Sequence, residues 1–266
     1  MPLNRLAMKR NIRLIIEYDG TAYHGWQSQD NAVTVQDTVT AAVCKLTGES
    51  CTITGSSRTD AGVHALGYVC NFFTESSIPA DKFSFALNTI LPADIKVIHS
   101  EEVPQDFHSR FSARAKKYLY YIYNSTFPSA LLRHRAYHVY YPLDVEKMDR
   151  AAQHFTGTHD FLAFSASGYS AKTTVRTVME ASVVKVSQAR HIIHPQRDGD
   201  GQLIEFSVTG DGFLYNMVRI MAGTLVEVGF GKLRPQDIPD IIAGLDRRRA
   251  GRTAPAHGLY LSEVFY

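Results

Sequence analysis

Hydrophobic and polar positions follow two different periods along the chain, and each period predicts one kind of element. Four apolar runs in the first part of the chain predict strands, over 11–18, 51–54, 67–73 and 95–103. Apolar residues at helical spacing predict one helix between Thr34 and Gly48 and another over 79–91. The order strand, helix, strand, strand, helix, strand is typical of an α+β unit whose sheet is mostly antiparallel.

The second part of the chain continues with elements of both kinds. Strands are expected over 118–123, 176–186, 203–208 and 264–265, and helices over 144–155, 212–225 and 235–245. The polar stretch 188–202 predicts a mobile hairpin tip between two of these strands. In the earlier helix over 79–91 we expect four buried side chains, Phe83, Phe85, Ala86 and Ile90.

The composition is that of a folded protein with a sizeable core. The chain has 266 residues, 45% of them hydrophobic and 20% charged. Because it has no apolar run of about 18 residues and its start is too polar for a secretory signal, we expect neither membrane insertion nor export. The cysteines Cys44, Cys51 and Cys70 show neither a CxxC pair nor zinc-ligand spacing, which favours a reducing cytoplasm. With a net charge of only +2, any surface for nucleic acid must be a local patch.

Residues 55–65, which read GSSRTDAGVHA, separate two predicted strands and are too small and polar for a core segment. The glycines permit tight or left-handed backbone, while Arg58 and Asp60 place a cation and a carboxylate in one turn. Two interpretations are open. Asp60 either bonds local backbone N–H groups as an ordinary turn residue, or belongs to a site for a charged, polar substrate.

A basic run over 110–117 leads into a strand with Tyr118 and Tyr120 on one face and Leu119 on the other. Aromatic rings beside arginine and lysine suit the binding of an extruded base and its phosphates. An ordinary amphipathic strand explains the same tyrosines equally well. The segment is therefore a candidate RNA contact that pattern alone does not establish.

Arginines mark two more places near the end of the chain. Arg219 lies in the apolar stretch 212–225, where the simplest interpretation is a helix-end arginine that reaches solvent. The densest basic cluster is Arg247-Arg248-Arg249 with Arg252. It is either a solvated helix end or a contact for phosphate.

Blocks along nearly the whole chain resemble the tRNA pseudouridine synthase A family. They are YDG at 18–20, GWQ at 25–27, the loop string over 55–65, AKKYLY at 115–120, HDF at 159–161, FLYNMVR at 213–219 and the APAHGLYL ending at 254–261. The resemblance implies an α+β pseudouridine synthase fold, with two α/β halves sharing a mostly antiparallel mixed sheet and helices packed on it. An N-terminal α+β domain over 8–107 would carry the catalytic loop, and a C-terminal α+β domain over 111–266 would complete the active-site cleft.

The same resemblance assigns roles to individual residues. Asp60 is expected to be the nucleophile, Arg219 its charge partner and Tyr118 the ring that stacks on the target base. Arg58 is expected to contact RNA and help the base leave the stack, and Arg247 with Arg248 to bind phosphate.

The implied activity is isomerisation of uridine to pseudouridine at positions 38, 39 and 40 in the anticodon stem-loop of tRNA. The family implies a homodimer that binds tRNA, while the cysteines and the lack of a long apolar run, as noted above, predict a cytoplasmic protein without membrane attachment. No cofactor or metal is expected, since the reaction is a rearrangement within the substrate and His154, His159 and Asp160 match no metal-binding template.

Three chemical routes stay open for Asp60. It could attack C1′ of the ribose, as a retaining glycosidase carboxylate does, initiate removal of a sugar proton to give a glycal, or attack C6 of the base.

Two other functions compete with an isomerase. A non-catalytic RNA-binding platform of the RRM type would explain the aromatic strand but not a carboxylate beside phosphates. A hydrolase of small substrates with an aspartate nucleophile would explain Asp60 but not the basic stretches.

Overall fold

The computed structural model describes residues 9–168, 172–186 and 201–266. They form two compact units, one made of residues up to Arg114 together with Leu261–Tyr266, the other of Ala115–Tyr260. The end of the chain belongs to the first unit because the Arg114 N–H donates to the Phe265 carbonyl (2.8 Å) and the Tyr266 hydroxyl donates to the Ser109 carbonyl (2.7 Å). No described helix is long and apolar enough to cross a membrane.

The first unit is a small antiparallel sheet with two helices. Its elements are β1 (Arg10–Tyr18), α1 (Val35–Thr47), β2 (Thr54–Gly55), β3 (His64–Thr74), α2 (Phe83–Asn88) and β4 (Ile95–Val103). Strand β1 lies between β3 and β4 and is antiparallel to both, while the short β2 pairs with β3. Alternate β1 residues Ile12, Leu14 and Ile16 are fully buried, as the period of a half-buried strand requires.

Helix α1 begins and ends where the sequence predicts. The Thr34 side chain accepts a hydrogen bond from the Asp37 N–H (3.2 Å) and its hydroxyl donates to the Asp37 carboxylate (2.5 Å). Gly48 caps the other end in the left-handed conformation, at φ 73°. Val35, Val39 and Val43, spaced by four, form the buried stripe.

Two details of the first unit differ from the prediction. The strand expected over 51–54 is only Thr54–Gly55, which pairs with β3, and the carbonyl of Ile53 just before it accepts a hydrogen bond from the Gln36 side chain of α1 (2.9 Å). The helix expected over 79–91 is only six residues of α-helix after a 3-10 turn. Its buried residues are Phe83 and Leu87, while Phe85 is 69% exposed, since two residues of helix turn a side chain to the opposite face.

The second unit is a larger antiparallel sheet. Its elements are β5 (Ala115–Asn124), β6 (Tyr137–Val139), α3 (Val145–Gln153), β7 (Gly157–Asp160), β8 (Val175–Lys185), β9 (Gln202–Gly210), α4 (Met217–Gly229) and α5 (Asp237–Gly244). The last strand, β10 (Leu259–Phe265), runs across the division. Within the unit the strand order is β5-β9-β8-β7, with antiparallel pairing throughout, and β6 pairs with β5 in parallel. The α+β class predicted from the sequence is confirmed.

Helix α4 starts later than the apolar pattern over 212–225 suggests. Asn216 takes the left-handed conformation (φ 61°), and the Met217 N–H donates to the Leu214 carbonyl (3.0 Å) in a turn that precedes the helix. Regular helix therefore begins at Met217. The hairpin tip predicted over 188–202 lies almost wholly outside the described residues.

Candidate active site

The loop 55–65 turns sharply at Asp60. The Val63 N–H donates to the Asp60 carbonyl (3.1 Å), which closes a four-residue turn, and Gly62 adopts φ 77° at the third position of that turn. A positive φ at this position is the requirement of a type II turn, which glycine meets without strain. Asp60 is half-exposed and Arg58 is exposed. The carboxylate is thus carried by a tight turn of fixed shape.

Thr59, the residue before Asp60, is held by the segment 18–27. The Trp26 N–H donates to the Thr59 carbonyl (3.2 Å), and the hydroxyls of Tyr18 and Thr59 are hydrogen-bonded at 2.8 Å. Gly25 makes this approach possible, because a Cβ atom there would lie 2.2 Å from the Thr59 carbonyl oxygen. The backbone entering Asp60 is therefore fixed from outside the loop.

The residues after Asp60 are held in the same way. A Cβ atom at Gly20 would lie 2.0 Å from the Val63 carbonyl oxygen, so only glycine permits this contact. The Gly20 N–H donates to His64 Nδ1 (3.1 Å), and the Gly62 N–H donates to the Tyr23 carbonyl (3.2 Å). Both ends of the Asp60 turn are consequently tied to one N-terminal segment.

An aromatic pair supports the start of the loop. The rings of Trp26 and Tyr68 stack with centroids 3.9 Å apart, and both side chains are buried. The Tyr68 hydroxyl donates to the Ser57 carbonyl (2.5 Å). A Cβ atom at Gly55 would lie 2.2 Å from this hydroxyl oxygen. Trp26 is thus a packing residue, as its residue type suggests. Together with Tyr68 it packs against the candidate catalytic loop.

We expect Gly25→Ala to lower the free energy of unfolding by about 2–4 kcal/mol, since alanine would combine the left-handed strain with a backbone clash at Thr59. Gly48→Ala is the matched control, because Gly48 has a similar positive φ of 73° and an added Cβ would meet no atom of the described residues within 4 Å beyond its immediate chain neighbours. The control should lose about 1 kcal/mol, from strain alone. Urea unfolding of both variants measures the difference, and equal losses would show that the close approach at Thr59 is not a constraint.

In the second unit, Tyr118 and Tyr120 are buried on β5. The Tyr118 ring meets the Phe213 ring edge-on, with centroids 5.1 Å apart, and is 6% exposed. The Tyr120 hydroxyl donates to the Pro255 carbonyl (2.7 Å), and burial raises the pKa of Tyr120, so the hydroxyl keeps the proton that it donates. Leu119, on the opposite face, is also buried. The strand is covered on both sides, so the tyrosines have fixed positions.

Arg219 lies in the first turn of α4, with its guanidinium held by two elements. Its Nε donates to the Ala254 carbonyl (2.8 Å), and its Nη1 donates to Asn216 Oδ1 (2.6 Å). The Ala254 N–H donates back to the Arg219 carbonyl (3.1 Å). Arg219 is half-buried and has a fixed orientation, unlike the helix-end arginine in solvent that its position in the sequence suggests.

The basic cluster contains two different kinds of arginine. Arg247 is half-buried and donates to the carbonyl of Gly251 (2.9 Å) and to Thr253 Oγ1 (3.1 Å), and burial lowers its pKa. The side chain of Arg248 is 90% exposed and pairs with Asp246 at 2.8 Å, a hydrogen bond that lowers the pKa of Asp246 to about 2. Arg247 therefore shapes the segment 250–253, while Arg248 extends into solvent.

The segment 250–255 is held against α4 by contacts that sequence reasoning did not predict. A Cβ atom at Gly223 of α4 would lie 1.7 Å from the Arg252 carbonyl oxygen, and the Gly251 N–H donates to Thr224 Oγ1 (2.9 Å). With Arg219 holding Ala254, the segment is fastened to α4 along its length. The sequence feature that could have indicated this contact is the pair of adjacent small residues, Gly223 and Thr224, in an otherwise apolar helix.

Candidate ligands for a metal are not grouped in the described ranges. Within residues 9–168, 172–186 and 201–266, no cluster of three or more His, Cys, Asp or Glu side chains could hold an ion. His159, which lies beside Asp160 in sequence, is 3.0 Å from the Thr156 carbonyl through its Nε2.

Comparison with known proteins gives a consistent result over nearly the whole chain. A family model described as tRNA pseudouridine synthase matches residues 14–112 and 151–266. The tRNA pseudouridine synthase A of Acetivibrio thermocellus is 58% identical over 257 residues, which are 97% of this chain and 100% of the relative. Those of Ruminiclostridium cellulolyticum and of a Thermoanaerobacter species are 54% and 46% identical, with the same shares covered. The chain therefore belongs to the tRNA pseudouridine synthase family.

Proposed function

We propose that this enzyme isomerises uridine to pseudouridine at positions 38, 39 and 40 in the anticodon stem-loop of tRNA, with the Asp60 carboxylate as nucleophile. The observation that carries the proposal is the Asp60 turn. Its neighbours Thr59 and Gly62 are tied by hydrogen bonds to Trp26 and Tyr23, outside the loop. A catalytic group has to be held within about 0.5 Å of its productive position, and such outside support is what achieves it.

The reaction needs a carboxylate that can act on a base removed from the helix. The N1–C1′ bond breaks, the uracil turns, C1′ joins C5, the C5 hydrogen leaves as a proton, and N1 takes up a proton, so the product is an isomer of the substrate. Asp60 can start this by attack on C1′ or on C6, or by initiating loss of a sugar proton. Bonds are exchanged within one nucleoside without net oxidation, so the chemistry calls for no cofactor.

Three further residues have proposed roles in the reaction. The ring of Tyr118 stacks on the extruded base, an interaction worth about 1–3 kcal/mol for a base on an aromatic ring. Because Tyr118 is 6% exposed and its ring is in contact with the Phe213 ring, the base can reach it only where Phe213 moves aside. The guanidinium of Arg219 favours the ionised form of Asp60 and offsets its repulsion by phosphates. Arg58, which is exposed, contacts RNA and helps the base to leave the stack.

Unmodified tRNA transcripts test the proposed positions. Transcripts that carry uridine at only one of positions 38, 39 and 40 should each gain pseudouridine there, whereas a transcript with cytidine at all three should gain none. Pseudouridine mapped mainly outside the anticodon stem-loop would contradict the positional assignment. The isomerase activity itself would stand in that case.

Arg248→Ala should weaken tRNA binding and reduce the slope of log affinity against log salt by about 1, since one phosphate contact is lost. Arg234→Ala is the matched control, because Arg234 is also exposed and paired with an aspartate, Asp237 at 2.8 Å, outside the basic cluster. Binding titrations at several salt concentrations measure both slopes. If Arg248→Ala and Arg234→Ala behave alike, the cluster is an ordinary solvated surface.

We also propose that the enzyme is a homodimer that binds tRNA across both subunits. A net charge of +2 per chain is small for a protein that holds a polyanion, and pairing two chains doubles the available basic surface. Light scattering at micromolar concentration should give about twice the mass of 29.7 kDa. A monomer over that whole concentration range would contradict the proposal.

A further inference from the structure

Two of the three cysteines lie side by side in the first unit. Cys44 is in the last turns of α1, and Cys51 lies in the segment that leads from Gly48 into β2. Their Sγ atoms are 3.5 Å apart, and both residues are half-buried. A disulfide has an S–S distance of about 2.05 Å, so the two sulfur atoms need to approach by only about 1.5 Å to form one.

The segment around Cys51 is fastened on both sides. On one side, Glu49 accepts a hydrogen bond from the Thr74 hydroxyl (2.8 Å). On the other, the Ile53 carbonyl accepts one from the Gln36 side chain of α1 (2.9 Å). The first contact fastens the segment to β3 and the second to the helix that carries Cys44, so the proximity of the thiols is built into the fold.

We propose that Cys44 and Cys51 are a reversible dithiol–disulfide site that a low-molecular-weight disulfide oxidises. The Cys44 thiolate attacks one sulfur of the oxidant and releases its first thiol. The Cys51 sulfur then attacks Cys44, loses its proton, and releases the second thiol. The protein is oxidised by two electrons, and the oxidant is reduced to two thiols.

The order of attack follows from the environment of Cys51. Burial, and then its hydrogen bond with Cys44, raise the pKa of the Cys51 thiol to about 12. Cys51 is therefore a poor first nucleophile and acts as the resolving thiol. Cys70 is the internal reference for a thiol that stays reduced. It is fully buried on β3, and burial raises its pKa even further above the ordinary value.

The position of the pair connects it with the candidate active site. Cys51 is four residues before Gly55, where the catalytic loop begins, and the chain between them pairs with β3 at Thr54. A disulfide would pull this segment towards α1. The effect on activity rests on the proposed role of that loop, whereas formation of the disulfide does not.

Incubation of the native enzyme with glutathione disulfide tests the inference. After unfolding without reductant, the number of alkylatable thiols should fall from three per chain to one, and dithiothreitol should restore it. The Cys51→Ser chain should stop at a mixed disulfide and gain the mass of one glutathione, while Cys44→Ser should keep both remaining thiols. Three free thiols at equilibrium with excess oxidant would overturn the site.

Activity measured on the same samples tests the connection to the loop. The oxidised enzyme should form pseudouridine more slowly by a factor on the order of ten, since small misplacements of a catalytic group are costly, and reduction should restore the rate. Cys44→Ser, treated in parallel, should be unaffected by the oxidant. An intact disulfide with an unchanged rate would overturn the connection.

Discussion

Asp60→Asn should bind tRNA with nearly unchanged affinity and form pseudouridine at least about a thousandfold more slowly, because an amide cannot replace a carboxylate as nucleophile. The change is almost isosteric. The turn that carries residue 60 is closed by backbone groups, the Asp60 carbonyl and the Val63 N–H, which the substitution leaves in place. The variant should therefore fold.

Single-turnover incubations with excess enzyme, analysed by mass spectrometry of the digested tRNA, measure this loss. Asp30→Asn is the matched control, since it removes the same charge from an exposed position of the same unit and should keep the full rate. Product formed by Asp60→Asn at a rate near that of the control would refute the assignment of the nucleophile. A large loss of affinity would instead indicate that Asp60 serves the structure of the RNA site.

Arg219→Met should lower the single-turnover rate by about 100-fold to 1,000-fold, because it removes the cation proposed to keep the nucleophile ionised. Raising the pH should recover part of the rate in this variant, since higher pH restores the ionised carboxylate that the arginine no longer favours. Arg219→Lys should be intermediate, because lysine keeps the charge but lacks the planar fork of donors.

Arg219 also has a structural role, and its effect on activity has to be measured separately from the effect of the arginine's charge. Arg219 also holds the Ala254 carbonyl and Asn216 Oδ1, so its loss can loosen the segment 250–255. Asn216→Gly is the control, because glycine keeps the left-handed backbone at this position and removes only one of the arginine's contacts. If Asn216→Gly loses as much activity as Arg219→Met, the arginine acts by positioning and not through its charge.

Elements whose signals are local could be predicted from the sequence. Helix α1 is one, since its cap residues Thr34 and Gly48 and its stripe of valines all lie within fifteen residues of sequence. The loop 55–65 is another, because glycines, Arg58 and Asp60 between two strands indicate a turn with charged groups. Local chemistry therefore identified the candidate loop and the α+β class.

Features that depend on distant contacts could not be predicted. Nothing in the sequence distinguishes Gly25 from any other loop glycine. In the structure, a Cβ atom at Gly25 would lie 2.2 Å from the carbonyl oxygen of Thr59, which is more than thirty residues away in sequence. Cys44 and Cys51 match no cysteine motif, and the segment that carries Cys51 is fastened by contacts with residues distant in sequence, among them the hydrogen bond from Gln36 to the Ile53 carbonyl. The exposure of Phe85 follows from which face of α2 packs on the sheet, and an apolar residue on the opposite face gives no local sign of its exposure.

We propose that a carboxylate on this loop converts uridine to pseudouridine without releasing the base. A decisive experiment uses tRNA that carries tritium at C5 of the uridines at positions 38 to 40. The wild-type enzyme should release one tritium to water for every pseudouridine formed and no free uracil, and Asp60→Asn should release neither. Free uracil in place of pseudouridine, or tritium release by Asp60→Asn at the wild-type rate, would contradict the account.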